Sequence, residues 1–268
     1  MQGVKNKTVR ADARHNKLAS SCATLKGQLK IYIACILAAP TLVQADVFNI
    51  PAGDSAALIK AITDANNNGE DDDIVLEAGT YTLDSVDNDT DGPNGLPSII
   101  SPITISVSAA DAGPAVIKRA DTPEVDIPRF RILHVDSTGI LTLDRLVVTG
   151  GSGNQGGGIF NHGMLKITNS TISSNFSSTG GGGIINTDGG TLSITTSTIR
   201  MNTNTRAGGG GILNFGTATL DKSTVSDNTS GAGFGGAGGA GIFNRSAGTL
   251  NITNSTISGN KMRTGGER

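Results

Sequence analysis

Three short blocks recur in fixed order through the second half of this 268-residue chain, and that recurrence limits the fold more than any other feature. The first is Gly-Gly-Ile-x-Asn, at 157–161, 182–186 and 210–214, with a fourth copy at 240–244 that opens on Ala240. The second alternates apolar and polar residues: Leu165-Lys166-Ile167-Thr168, Leu192-Ser193-Ile194-Thr195, Ala218-Thr219-Leu220-Asp221 and Leu250-Asn251-Ile252-Thr253. The third is Ser-Thr-(Ile/Val)-x-x-Asn, at 170–175, 197–202, 223–228 and 255–260. An incomplete earlier copy reads Leu141-Thr142-Leu143 and Leu146-Val147-Val148.

The apolar residues of the third block, Val148, Ile172, Ile199, Val225 and Ile257, are separated by 24, 27, 26 and 32 residues. A period of that size, with three strand-like pieces and no helix, is one turn of a β-solenoid. Leucine-rich repeats share the period but need a Leu-rich consensus that is missing here. Alternation points Leu165, Ile167 and their equivalents inward, and Lys166 and Thr168 outward. Ile159, Ile184, Ile212 and Ile242 then form one interior row, and Ile172, Ile199, Val225 and Ile257 another. Asn residues suit the corners because a turn leaves backbone groups unpaired, and the amide bonds backbone or the next amide in the stack. Two ladders are expected: Asn161, Asn186, Asn214, Asn244, and Asn175, Asn202, Asn228, Asn260. The fold class that follows is all-β, a right-handed parallel β-helix with a short N-terminal capping α-helix.

Gly reaches 38 residues and Trp is absent, a composition that spread evenly would suggest disorder or collagen. Its clustering inside the blocks points to the repeat. Ahead of the repeats, Val47-Phe48-Asn49-Ile50 predicts a strand and Asp54 caps a helix to about Asn66, with Leu58, Ile59, Ile62 and Ala65 on one face. Ile74-Val75-Leu76 and Tyr81-Thr82-Leu83 predict a pair of strands, and the Asp/Asn/Gly-rich stretch 84–95 an exposed loop. Less regular strands follow over 99–135. A basic stretch with Lys26 and Lys30 precedes an apolar run over 31–43 that ends Val43-Gln44-Ala45, the layout of a secretory leader. The run is shorter than the roughly 20 residues a membrane span requires. The organisation expected is a leader over 1–45, a cap and irregular first coils over 46–140, and regular coils over 141–268. Both cysteines, Cys22 and Cys35, fall in the leader, so no disulfide supports an extracellular location. The chain stops soon after Asn260 with no polar cap, which predicts a truncated solenoid that self-associates through its open end.

The Gly-Gly-Ile and (Ile/Val)-x-x-Asn blocks resemble the GGAI and FxxN repeats of polymorphic outer-membrane proteins, whose passengers are β-helical. A closer likeness is to bacterial secreted β-helix proteins with a CSLREA-type N-terminal segment. In those, a helix ending near Ala-Asn precedes a strand, a Gly-Thr-Tyr element and an Arg-containing strand. The matching pieces are Ala65-Asn66, Ile74-Val75-Leu76, Gly79-Thr80-Tyr81 and Arg131-Ile132-Leu133, within a likeness covering 46–260. The hexapeptide itself is replaced by Asp54-Ser55-Ala56-Ala57-Leu58-Ile59, and no C-terminal sorting segment or translocator barrel follows Asn260. The resemblance implies export to the surface or medium of a bacterium.

A β-helix can carry polysaccharide chemistry where acid/base pairs converge on one face. Asn186-Thr187-Asp188-Gly189 resembles an element of polygalacturonases and Asn161-His162-Gly163 faintly their His element, but the order is reversed and no Asp-Asp pair lies between or after. Asp188 is expected to be a turn residue. Asp144 and Asp221 share an outward row, three rungs or roughly 14 Å apart at about 4.8 Å per rung. Glycosidase carboxylates lie about 5–9.5 Å apart. Glu70-Asp71-Asp72-Asp73 has the carboxylates to bind Ca²⁺ but is expected to be a solvated loop between helix and strand. His15 lies in the leader region, and His134 and His162 have no Cys or paired His near them, so no metal site is expected. Arg129 and Arg131 alternate as if on one outer strand face, and the Gly-rich stretch 231–241 reads as a surface loop. A net charge of −2 without a basic stripe excludes nucleic acid as an expected partner. The expectation is a non-catalytic, secreted or surface protein with no catalytic residue and no cofactor, presenting loops to a glycan or protein ligand. The alternative is a polysaccharide lyase or glycoside hydrolase of the pectin-lyase-like class.

Overall fold

The computed structural model describes residues 45–108, 113–121, 128–206, 208–231 and 238–263. Residues 1–44 of the expected leader, with Cys22, Cys35 and His15, lie outside the described residues, as does most of the Gly-rich stretch 231–241. What is described is a right-handed β-solenoid of about seven turns with one short helix. Among the described residues, no helix is long and apolar enough to cross a membrane.

One regular coil runs through four strands, one more than the sequence blocks suggest. Ile159–Asn161 leads to Met164–Thr168, Thr171–Ser173 and Phe176–Gly180, and the chain then steps up to Ile184–Asn186. Each strand pairs in parallel with its equivalent one turn away, so the strands build four sheets of eight, seven, five and five strands. The fourth sheet contains Ser152–Gln155, Phe176–Gly180, Thr203–Asn204, Thr229–Gly231 and Lys261–Arg263. Its strands are Ser/Thr/Asn/Gly-rich, which hides them from a search for apolar alternation.

The stacking extends to the first described rung. Val47–Ile50 pairs with Asp72–Leu76, which pairs with Pro102–Val107, and that with Ile140–Asp144. Ile74–Leu76 and Tyr81–Leu83 are therefore not each other's partners. Gly79–Leu83 pairs instead with Ala115–Arg119 in the seven-stranded sheet. A coil one turn away offers a full parallel ladder, whereas the short link between these segments turns a corner of the solenoid. The acidic run likewise enters the ladder at Asp72, whose buried carboxylate accepts the Asp46 N–H at 2.7 Å.

Inside, Leu133, Ile159, Ile184, Ile212 and Ile242 stand in register, as do Val148, Ile172, Ile199, Val225 and Ile257. Most are fully buried, each adding about 1.5–3 kcal/mol of apolar transfer free energy. At the N-terminal end, the helix Ser55–Asn68 starts at Asp54, whose carboxylate accepts the Ala57 N–H at 2.9 Å, and stops at left-handed Gly69. Leu58, Ala61, Ile62 and Ala65 bury against the first rungs and close that end of the core. At the other end, Ile252 and Ile257 are 42 % and 45 % exposed.

The corners have a fixed chemistry. Between the eight- and seven-stranded sheets, Arg145, Asn169, Thr196, Lys222 and Asn254 all take φ of 49–60°. This is the left-handed region, which costs an ordinary L-residue about 1–2 kcal/mol and a β-branched one most. Thr196 is exposed and its side chain makes no hydrogen bond among the described residues, while the same column carries Asn at 169 and 254. Thr196→Asn should therefore stabilise the protein by about 1 kcal/mol, read as a higher urea midpoint with unchanged slope. Equal midpoints for the two proteins would contradict the strain.

Candidate functional site

The residue between Ile and Asn in the first block points out of the solenoid, yet it is not solvated. His134, Phe160, Ile185, Leu213 and Phe243 form this outer row in register. Phe160, Ile185 and Leu213 make a second apolar cluster, flanked by Phe215 and Phe243. Glycines of the adjoining segments allow backbone to lie over it: a Cβ on Gly180 would sit 2.5 Å from Leu213 Cδ2, and one on Gly156 2.8 Å from Ile185 Cγ2.

His134 stands at the head of that row and is fully buried. Residues 88–99 cross above it as a further, irregular rung. Arg131 N–H donates to Pro93 O at 3.1 Å, Gly95 N–H to Arg131 O at 2.8 Å, and Ile99 N–H to His134 O at 2.9 Å. Asn88 organises the crossing. Its Oδ1 accepts from Thr90 N, Asn94 Nδ2 and Ser98 Oγ, while its Nδ2 donates to Leu96 O. The stretch 84–95, expected to be an exposed loop, thus carries fully buried Asn94, and Leu96 just after it is fully buried too.

Its tip brings Asp91 to the two histidines. Asp91 Oδ2 is 3.2 Å from His134 Nε2 and 3.4 Å from His162 Nε2. The rings of His134 and His162 meet edge-on with centroids 6.1 Å apart, and Phe160 packs against both. Burial, with the Arg131 charge next to it, holds the His134 imidazole below its ordinary pKa against the pull of Asp91.

Arg131 does not line an outer face with Arg129; it is 1 % exposed. Its guanidinium lies over the Phe160 ring at 4.5 Å, and Nη2 donates to Asp91 O at 2.6 Å. Nε and Nη1 are buried and have no hydrogen-bond partner among the described residues. Burial pushes its pKa down to about 10 despite the nearby Asp91 and Asp89, so it remains a cation at neutral pH. Alternation on a strand misplaces it because the segment becomes regular only at Leu133–Val135, and the 88–99 crossing covers what would be its outer face.

Beside this cluster runs a groove of about 660 Å³ lined by Asp91, Asn154, Gln155, Ser178, Thr179, Thr205 and Arg206. Its wall comes from the fourth sheet and the link after Thr203–Asn204. Among the described residues, the lining offers amides, hydroxyls and one charge of each sign, with no aromatic ring.

The eight ladder asparagines occupy two columns. Asn161 Nδ2 donates to Asn186 Oδ1 at 2.6 Å, Asn186 to Asn214 at 2.8 Å and Asn214 to Asn244 at 2.6 Å. In the second column Asn175, Asn202 and Asn228 each donate to the next, ending on Asn260, at 2.9–3.0 Å. The left-handed residue at that corner is the one before the ladder Asn: Ser174, Met201, Asp227 or Gly259. The sequence reasoning passed over a third column, in which Ser170, Ser197, Ser223 and Ser255 each accept a backbone N–H from the preceding turn at 3.0–3.2 Å. Asp188 sits exposed in a turn next to left-handed Gly189. Asp144 and Asp221 share an outward row with Thr168 and Thr195 between them.

His134 and His162 could have been connected through the period: a 26-residue step from His134 lands on Phe160, and His162 follows two residues later on the same edge. Nothing in the repeat places Asp91. No protein-family model, curated protein or solved structure matches the chain.

Proposed function

We propose that the protein is exported and works, secreted or at the bacterial cell surface, as a non-catalytic β-helix that adheres to glycans through its lateral groove. The observation that carries this reading is the groove lining. Asn154, Gln155, Ser178, Thr179 and Thr205 offer donors and acceptors suited to sugar hydroxyls, and among the described residues no second carboxylate joins Asp91 in the lining. Without an aromatic platform, affinity rests on hydrogen bonds and on avidity along a polymer. The likeness to secreted CSLREA-type proteins and the leader over 1–45 support export, and the mature chain is expected to begin near Asp46. In affinity electrophoresis against immobilised neutral and uronic-acid polysaccharides, retardation by at least one polymer is expected. The double substitution Gln155→Ala with Arg206→Ala, both exposed, should weaken it at least tenfold. Unretarded migration on the whole panel would overturn the proposal.

One observation favours a second reading, a lyase or hydrolase: a carboxylate, two imidazoles and a buried guanidinium converge at one edge of the groove. Incubating the same polysaccharides with the protein, with and without Ca²⁺, separates the two. New reducing ends or unsaturated uronates that vanish in Asp91→Asn would replace the adhesive reading with the catalytic one.

A further inference from the structure

The hydrogen bonds around the two histidines fix which ring nitrogen carries the proton. His162 Nδ1 is 2.7 Å from Thr187 Oγ1, and that hydroxyl donates its only hydrogen to Asn161 O at 3.1 Å. The Thr187 oxygen must then accept from His162 Nδ1–H. At His134, Nδ1 is 3.0 Å from Ser98 Oγ, which donates to Asn88 Oδ1 at 3.1 Å. Asn88 Oδ1 is held as an acceptor by the Thr90 N–H and the Asn94 amide, so Ser98 too can only accept from the imidazole. With the proton on Nδ1, the Nε2 lone pair of each ring is turned outward, and both point at one oxygen of Asp91. Three lone-pair donors facing one another repel unless a proton on one imidazole or a metal ion lies among them.

We infer that Asp91, His134 and His162 form a divalent transition-metal site of the zinc class. The ligand atoms, one from each side chain, all lie within 4.8 Å of one another. Two ligands of a tetrahedral zinc ion, each about 2.0–2.1 Å from the metal, are about 3.3 Å apart. The Asp91 separations of 3.2 and 3.4 Å agree with that figure. Ser98 and Thr187 supply the outer-shell acceptors that orient metal-binding imidazoles through the nitrogen away from the ion. Two nitrogens and one carboxylate suit zinc, nickel or copper, and leave calcium and magnesium short of oxygen ligands. The Asp91 and His162 side chains are 48 % and 34 % exposed, so a fourth ligand position opens toward the groove. The ion ties the 88–99 crossing to the two rungs beneath it, whichever ligand the groove holds.

The test uses the full-length chain, stripped with chelator and titrated with Co²⁺ as a visible probe, then with Zn²⁺ in competition. One equivalent of Co²⁺ should give the d–d bands of a four- or five-coordinate site, displaced by one equivalent of Zn²⁺. His162→Gln and Asp91→Asn, at the exposed side of the site, should each weaken the Zn²⁺ Kd at least tenfold, whereas His15→Ala should not change it. Ser98→Ala should weaken it about tenfold by freeing the His134 tautomer, the lower end of the range for outer-shell partners. Circular dichroism of each variant reports folding, and a variant that fails to fold is replaced by Thr187→Val, for which the same weakening is expected. The proposal is overturned if the unmodified protein binds no stoichiometric Co²⁺ or Zn²⁺, or if binding is unchanged in His162→Gln and Asp91→Asn.

Discussion

Asn202→Ala is expected to destabilise the protein by roughly 4 kcal/mol, given about 1–3 kcal/mol for each buried group left unpaired. Asn202 is fully buried and makes four hydrogen bonds through one amide. Its Nδ2 donates to Ile172 O at 2.9 Å and to Asn228 Oδ1 at 3.0 Å, and its Oδ1 accepts from both Asn175 N and Asn175 Nδ2 at 3.0 Å. Truncation orphans a carbonyl on one side and an N–H on the other, in a corner too tight for water to enter freely. The end of the same column provides the control. Asn260 is only half-buried, so solvent can replace much of what Asn260→Ala removes, and a loss nearer 1 kcal/mol is expected. Urea unfolding followed by circular dichroism measures both. Equal midpoints for the two variants would mean that the column adds no more inside the stack than at its rim.

That column was legible because its spacing repeats. Two rows of four amides at matching intervals have one economical arrangement, rung above rung, and the registers Asn161↔Asn186 and Asn186↔Asn214 have that form. The interior Ile and Val rows were legible for the same reason. The fourth strand was not, because Thr203–Asn204 and Thr229–Gly231 carry no apolar alternation and are held chiefly by their ladder bonds. The outer row was available in the sequence: the variable position of the first block is Phe160, Ile185, Leu213 and Phe243, apolar in every copy. Period-2 alternation beside the inward Ile points that position away from the core. It is buried because glycine segments of the preceding coil fold over it, a consequence of tertiary path that alternation alone cannot express.

The candidate site lies where the repeat gives out. Asp91, Asn94 and Ser98 belong to a crossing whose route depends on the Asn88 network, and no periodicity relates them to His134 or His162. Arg131 was misread by the same limit, since alternation was carried past the start of the regular strand. The regular coils supply a rigid edge, and the irregular segment supplies the groups that converge on it. Chemistry on a solenoid is therefore to be sought at the places where the repeat pattern fails.

The largest single loss is expected from the smallest change, Gly182→Ala. A methyl group there would lie 2.3 Å from Gly210 O, 2.6 Å from Thr203 O and 2.7 Å from Thr203 C, all backbone atoms. None can swing aside as a side chain would. Relief requires parting two rungs and breaking the bonds from Gly182 N to Gly209 O and from Gly183 N to Gly210 O and Gly211 O. With about 1 kcal/mol net for each of these three bonds and overpacking strain of about 1–3 kcal/mol, the cost is roughly 4–6 kcal/mol. Gly189→Ala separates this crowding from a general intolerance of alanine. Gly189 has φ +79° and no atom within 4 Å of the added carbon, so only left-handed strain of about 1–2 kcal/mol applies. Hydrogen exchange should show protection lost in Gly182→Ala at Ile184–Asn186 and Ile212–Asn214 and kept at Asp72–Leu76, because a solenoid rung is supported only by its neighbours. Uniform loss along the whole stack would instead mean that the coils unfold as one unit, and wild-type exchange at the two strands would mean that the rungs can part at little cost.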